Sequence, residues 1–190
     1  MKATDPIRKK SDISKIKNYY LNKGEYRNFL LVCFGINTGL RISDILNLKS
    51  EDVFDFKNNT IKDHIYLKEK KTGKTNSIKI NTSLKNALKT YFRYFPKLSK
   101  NFLFKSKKGN RPISRVQAYR IIKKATDECK IEGTIGCHSL RKTFGYFAWK
   151  SGAQPVLLMN LFNHSSFEIT KRYLGIGQEE RDSVYMHLSY

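Results

Sequence analysis

The residues best suited to chemistry lie late in the chain. Between Cys137 and Tyr173, the run C-H-S-L-R-K-T-F-G…L-F-N-H-S-S…T-K-R-Y-L contains His138, Arg141, His164 and Tyr173. Three phosphate-seeking side chains followed by a tyrosine describe a phosphodiester site with its own nucleophile. Breaking such a bond without a metal requires that the phosphate oxygens be neutralised and the developing charge held. It also requires that the nucleophile be deprotonated and the leaving 5′ oxygen protonated. Arginine suits the first demand, because its planar fork gives phosphate two parallel hydrogen bonds and stays charged at any working pH. Arg41 and Arg141 are the candidates. His138 and Arg141 stand three apart at the start of an expected helix and so share a face, where a histidine can shuttle a proton near neutral pH. A tyrosine hydroxyl titrates at about 10, so Tyr173 needs cations and a base beside it. Taken singly, His138 reads as a helix cap, Arg141 as a surface charge and Tyr173 as one of 11 tyrosines that mostly pack. Their combination is what points to catalysis.

Composition bounds the partner. At 190 residues and 39% hydrophobic content, one domain with one sizeable core is expected. Lys and Arg number 37 against 16 Asp and Glu, a formal net charge of +21 spread from Lys2 to Arg181. A polyanion is therefore the default partner. Charge alone leaves the function open. Cys33, Cys129 and Cys137 are an odd set without C-x-x-C spacing, so neither a disulfide framework nor a zinc site is indicated. No apolar run approaches the roughly 20 residues of a membrane span, and the start lacks a signal-peptide core. A soluble protein of the reducing cytoplasm is expected.

The elements that must position these residues are mostly helical. After a basic lead-in over residues 1–10, apolar residues recur at helical spacing in Ile13–Leu21 and Glu25–Asn37, separated by Gly24 and stopped by Gly39. Arg41–Leu48 reads as a short third helix with Arg41 at its start, beside unpaired backbone N–H groups. From Asp52 to Ile80 the pattern alternates, predicting a three-stranded antiparallel sheet over Val53–Phe56, Ile61–Glu69 and Asn76–Ile80. Lys71 falls at its second turn, where a lysine can be pushed into a DNA groove; a solvated turn is the plainer role. Thr82 is the expected N-cap of a helix ending near Phe95. Further helices are expected over Ser114–Lys130, Ser139–Ser151, Gln154–Phe162 and Phe167–Leu174. Arg115 and Arg120 lie on different faces of the first of these. The fold class is α+β, mainly α, with a small sheet at one edge. In the tail over 175–190, Val184, Tyr185 and Leu188 form an amphipathic stripe suited to docking on a neighbouring subunit or to packing in cis.

Five ordered blocks carry a resemblance: T-G-L-R-I-S-D-I-L (Thr38–Leu46), K-K-T-G-K (Lys70–Lys74), H-S-L-R-K-T-F (His138–Phe144), N-H-S-S (Asn163–Ser166) and I-T-K-R-Y-L-G-I (Ile169–Ile176). From about Ser11 to the C-terminus the chain resembles the catalytic domain of the tyrosine recombinases, the phage-integrase family. The resemblance implies that Arg41 and Arg141 clamp the scissile phosphate and that Lys71 protonates the 5′-hydroxyl leaving group. It also implies that His138 acts as general base toward Tyr173, that His164 hydrogen-bonds a phosphate oxygen and that Asp44 helps hold the site together. Lys70 competes with Lys71 for the acid's register; Lys71 is favoured because it directly precedes Thr72-Gly73. Lys70, Lys74, Arg115, Arg120 and Lys142 are candidate DNA contacts. The implied reaction passes through a 3′-phosphotyrosyl intermediate that a 5′-hydroxyl then attacks, on double-stranded DNA; neither metal nor nucleotide cofactor is implied, and the sequence has no P-loop and no carboxylates at metal-ligand spacing.

The resemblance also marks two departures. Only about 40 residues precede Arg41, so the helical core-binding domain that usually closes around DNA is expected to be missing. A tetramer on DNA, an accessory DNA-binding protein or a longer recombinase would then supply the grip. Asn163 stands where many members have Gly, a substitution compatible with a left-handed backbone. The expected function is a site-specific DNA recombinase or integrase, bacterial or phage-encoded and acting at the nucleoid. The competing readings are a type IB topoisomerase-like nicking and closing enzyme, and a DNA-binding regulator that keeps the fold without turnover.

Overall fold

The computed structural model describes residues 4–68, 73, 75–96, 101–177, 182, 185 and 186. Lys70, Lys71 and Lys74, and Val184 and Leu188 of the tail, lie outside them. The first three helices are α1 (Lys10–Asn22), α2 (Tyr26–Thr38) and α3 (Ile42–Asn47). Helix α2 is apolar on nearly every side, so it runs through the interior with Phe29 to Gly35 all buried. It packs against α1, against α4 (Thr82–Tyr94) and against α6 (Cys137–Lys150). Leu30 and Leu31 are fully buried there, and truncating either to alanine is expected to cost about 2–5 kcal/mol. The remaining helices are α5 (Arg115–Glu128), α7 (Pro155–Phe162) and α8 (Phe167–Leu174). Among the described residues, no helix is long and apolar enough to cross a membrane.

The expected three-stranded sheet is instead two antiparallel pairs. Strand β1 (Phe54–Asp55) pairs with β2 (Thr60–Ile61), and β3 (His64–Lys68) pairs with β4 (Thr75–Lys79). The stretch read as one middle strand breaks at Lys62 and Asp63. Two successive exposed residues end the inside–outside alternation that one strand requires. The ladders nearly join across the break: Lys62 N–H donates to the Val53 carbonyl at 3.0 Å, and Ile80 N–H to that of Asp63 at 2.9 Å. Phe54 packs tilted and Phe56 edge-on against Phe92, pinning the first pair to α4. A second difference lies at the start of α4, where Asn81 and not Thr82 is the N-cap; its side chain accepts from Leu84 N–H at 2.9 Å.

Among the described residues the interior divides in two. Thirty-one buried apolar residues from Ile7 to Leu140, near the start of α6, form one cluster. Tyr146, Leu158, Phe162, Leu174 and Ile176 form a smaller one, between the far half of α6 and helices α7 and α8. Tyr173 packs against the smaller cluster.

Candidate active site

Arg41 enters the site from the N-terminus of α3. Helix α2 ends at Gly39 in the left-handed conformation (φ 62°), and a Cβ there would collide with the ring of Phe144. The turn therefore needs glycine for both backbone and space. Arg41 follows as the extended N-cap of α3. Six residues make a marginal helix alone, and α3 is held by its sequel: the Leu48 carbonyl accepts from Leu103 N–H at 2.8 Å, while the buried Tyr91 hydroxyl donates to the Leu103 carbonyl at 2.8 Å. Asp44, on the first turn of α3, is 6% exposed.

Arg141 comes from α6 and is equally buried. Its Nη1 donates to the Gly39 carbonyl, and its Nη2 lies 3.3 and 3.5 Å from the carbonyls of Leu161 and Phe162 at the end of α7. The guanidinium carbon sits 4.7 Å from the centroid of the Phe162 ring. One side chain thus joins the end of α2, which leads to Arg41, to the end of α7, which leads to His164. Unsatisfied carbonyls at helix C-termini are natural partners for a cation.

The histidines and the tyrosine converge on these arginines. Asn163 ends α7 in the left-handed conformation (φ 55°, ψ 49°), so glycine is not required at this position. The turn brings the His164 ring to 5.2 Å from that of Tyr173, edge to face, and to 5.6 Å from Phe162. His164 Nδ1 lies 3.0 Å from the buried Thr170 hydroxyl, leaving Nε2 as the nitrogen available to a ligand. Tyr173 is half-buried on α8, which Ser166 caps by accepting from Ile169 N–H. Desolvation raises the Tyr173 pKa above the ordinary phenol value. Against it act the charge of Arg141, a hydrogen bond from Arg141 and the charge of Arg41. Tyr173 is therefore a protonated phenol at neutral pH and needs a base.

His138 is on the first turn of α6, exposed, on the face of Arg141. Its pKa is lowered by desolvation and then by the charges of Arg115, Arg141, Lys142 and Arg41. On a ring this open to solvent, the four cations are the weightier cause. The His164 pKa is lowered too, by desolvation and then by Arg141 and Arg41. Both rings are neutral near pH 7, as a proton acceptor must be. The charges of Arg41 and Arg141 each reach His138, His164 and Tyr173, which puts the five side chains within electrostatic range of one another.

The β3–β4 hairpin borders this pocket on two sides. A cleft of about 580 Å³ separates Asp44 and Asn47 of α3 from Tyr66, Lys68 and Gly73. Another of about 260 Å³ puts Asn76, Ser77 and Ile78 of β4 beside Arg141 and Phe162. The turn that carries Lys70 and Lys71, and Lys74 beyond it, is outside the described residues. Arg115 is exposed at the start of α5 next to His138, while Arg120 is exposed further along that helix, five residues on and so turned away. Lys142 differs from expectation. It is 9% exposed, and its ammonium donates to the Thr4 carbonyl at 2.6 Å and lies 5.0 Å from the centroid of the Tyr173 ring. An ammonium turned inward in this way is not presented to a DNA backbone.

Sequence reasoning missed Thr170, the carbonyls that seat Arg141, and residues 4–8, which dock beside α6. Thr170 stood within the I-T-K-R-Y-L block, three before Tyr173 and so on its face of α8. Backbone acceptors leave no trace in residue identity.

Residues 9–180 match the phage integrase family. The chain is 42% identical over 186 residues to the probable integrase/recombinase YoeC of Bacillus subtilis (strain 168), covering 97% of each. It is 26% identical to a tyrosine recombinase of Pseudothermotoga lettingae, covering 90% of this chain and 56% of that protein. With the tyrosine recombinase XerA of Pyrococcus furiosus the identity is 29%, over 81% of this chain and 52% of the relative. The chain thus spans nearly all of the first relative and about half of the other two. A crystal structure of XerA recombinase shares the fold with a TM-score of 0.77 at 19% identity, covering all of this chain and 68% of that one. XerH recombinase bound to its palindromic difH substrate matches with a TM-score of 0.70 at 20% identity, covering 98% and 55%.

Proposed function

The chain belongs to the phage integrase family, the tyrosine recombinases, and from that premise we propose that its pocket cuts and rejoins double-stranded DNA through Tyr173. Arg41 and Arg141 hold the non-bridging oxygens of the scissile phosphate and stabilise the charge that grows on them. Neutral His138 takes the proton of the Tyr173 hydroxyl, and the phenolate oxygen attacks phosphorus. The bond to the 5′ oxygen breaks as Lys71 gives that oxygen a proton, leaving a 3′-phosphotyrosyl link and a free 5′-hydroxyl. His164 donates through Nε2 to a phosphate oxygen. Attack by the 5′-hydroxyl of another strand reverses each step and restores the tyrosine, so the bond energy is conserved and no nucleotide is consumed.

The observation that carries this reading is a half-buried phenol reached by the charges of Arg41 and Arg141, with the neutral ring of His164 edge-on to it at 5.2 Å. Support for DNA as partner comes from the +21 charge, which leaves 21 cations without an acid even if every acid were paired. The relatives' DNA complexes add to it: XerH was solved on difH, and a lambda integrase dimer on a core site. The test is a nicked suicide duplex, from which cleaved product cannot be resealed. The wild-type protein should give an SDS-stable protein–DNA adduct and Tyr173→Phe none; an undiminished adduct from Tyr173→Phe removes the nucleophile from this position. Replacing the bridging 5′ oxygen by sulfur makes a leaving group that needs no proton, so it should restore cleavage to Lys71→Ala if Lys71 is the acid.

Strand exchange requires two duplexes, so a tetramer on DNA is part of the proposal, as is help from an accessory DNA-binding protein or a longer recombinase. The tail over 175–190 would dock on a neighbouring subunit. Unchanged assembly on DNA of a chain stopped at Gly177 would discard that docking. Exchange between two duplexes also separates this activity from nicking and closing of one. The site of action is the nucleoid, in the cytoplasm.

A further inference from the structure

Residues Thr4 to Arg8 cross the molecule as a strap. At one end, Asp5 N–H donates to the Thr134 carbonyl at 2.9 Å and Asp5 Oδ2 accepts from Thr134 N–H at 2.8 Å, fastening the strap to the loop before α6. At its centre Ile7 is 2% exposed, and its N–H donates to Thr143 Oγ1 of α6 at 2.8 Å. At the other end Arg8 Nη2 donates to the Gly175 carbonyl at 2.8 Å, and the guanidinium carbon lies 5.1 Å from the centroid of the Tyr146 ring.

Two contacts of the strap, one of Arg8 and one of Thr4, bear on Tyr173. Gly175 is the left-handed C-cap of α8, two residues beyond the tyrosine. A helix of eight residues is marginal alone, and a guanidinium on its last carbonyls both complements its dipole and fixes where it ends. The strap also orients Lys142, whose ammonium donates to the Thr4 carbonyl while lying over the Tyr173 ring. A cation over an aromatic face is attracted to its electron density, and that density grows when the phenol loses its proton. The second contact therefore favours the nucleophilic form, and the first sets where that form stands.

We propose that Arg8 and Lys142, tied together by the Thr4–Arg8 strap, are positioning residues that hold Tyr173 for attack on the phosphate. This rests on Tyr173 being the nucleophile. Neither residue touches the phosphate in this scheme. Arg8 acts through the end of α8, and Lys142 acts through the ring of Tyr173. The strap is the natural route by which anything bound to the N-terminal residues would adjust the reactivity of a tyrosine nearly 170 positions away.

Single-turnover cleavage of the nicked suicide duplex, with full-length protein saturating the DNA, tests this. The variants are Arg8→Ala, Arg8→Lys, Lys142→Met and Lys142→Arg, each with its DNA affinity and unfolding midpoint measured. Arg8→Ala and Lys142→Met should lower the cleavage rate constant on the order of ten- to a hundredfold, the scale of a sub-ångström to 1 Å misplacement. DNA affinity and reaction amplitude should stay at wild-type levels, and Arg8→Lys and Lys142→Arg should recover most of the rate. Unchanged rate constants overturn the inference. So does a loss confined to amplitude with a lowered unfolding midpoint, since that marks a contact supporting the fold alone. If Tyr173→Phe abolishes the adduct while these variants cleave normally, only the strap assignment fails. If Tyr173→Phe still forms the adduct, the nucleophile assignment fails and the strap assignment with it.

Discussion

Gly145 offers a way to separate the folding of this domain from its chemistry. It lies on α6 one turn beyond Arg141, facing the ends of α7 and α8. A Cβ there would stand 2.5 Å from Phe162 Cζ and 2.6 Å from Leu174 Cδ2, whereas ordinary contact begins at 3.4 Å. Gly145→Ala therefore lacks about 0.9 Å of room against Phe162, the difference between those two distances. Phe162 is 2% exposed and Leu174 fully buried, so neither can swing into solvent and the strain is relieved by moving α7 and α8 off α6. Overpacking of this kind costs about 1–3 kcal/mol. The helix propensity of alanine over glycine offsets about 1 kcal/mol of that, leaving a net loss of about 0–2 kcal/mol. The effect on chemistry is larger, because His164 follows Phe162 by two residues and Tyr173 is next to Leu174. A displacement of about 1 Å at a reacting group costs on the order of a hundredfold in rate. Gly145→Ala should then stay folded, with a urea midpoint lowered by no more than about 1 M, bind DNA normally and form the phosphotyrosyl adduct about a hundredfold more slowly. A folded variant that cleaves at the wild-type rate would refute the claim that this close approach of helices aligns the site.

Three further outcomes are expected. His138 and His164 both have lowered pKa values, so each binds a proton more readily in the unfolded chain, and acid favours unfolding. Stability should hold above about pH 6.5, the ordinary histidine value, and decline as pH falls below it. Urea midpoints of a His138→Gln/His164→Gln double variant should decline less steeply than those of the wild type, and parallel declines would contradict the assignment. DNA affinity should fall with salt by about 0.9 log units per log unit of salt for each phosphate contacted, and a flat dependence would remove the basic surface from binding. At Asn163, with φ 55°, Gly should be tolerated within about 0.5 kcal/mol, whereas Val should lose about 1–2 kcal/mol on thermal unfolding. Equal stability of Asn163→Val would mean that the left-handed turn before His164 is dispensable.

The helices were legible because each carries its own signals. Apolar spacing marked α2, and Ser114 and Pro155 marked the starts of α5 and α7. The side chains of the pocket were legible for a different reason, since the roles of arginine, histidine and tyrosine in phosphate chemistry are intrinsic to their groups. What escaped was set by register or by the backbone. The break at Lys62-Asp63 depends on which side of a strand faces the core, and polarity two residues running was its only sign. The burial of Lys142 depends on residues 4–8 folding back across α6, more than 130 positions away in sequence. A lysine next to Arg141 in a chain this basic reads as one more surface charge until its partner is seen.

The division of the apolar interior has a consequence for cooperativity. Five buried residues hold the segment from Leu158 to Ile176, against thirty-one in the main cluster, among the described residues. Subglobal opening of that segment exposes far less nonpolar surface than global unfolding does, and so lies lower in free energy. Amide hydrogen exchange under native conditions would then be fastest, among the helices, in the unit that bears Tyr173, and slowest in the helix that runs through the larger cluster. On the proposed mechanism, the part of the molecule that forms and releases a covalent bond to its substrate is the part least firmly committed to a single arrangement.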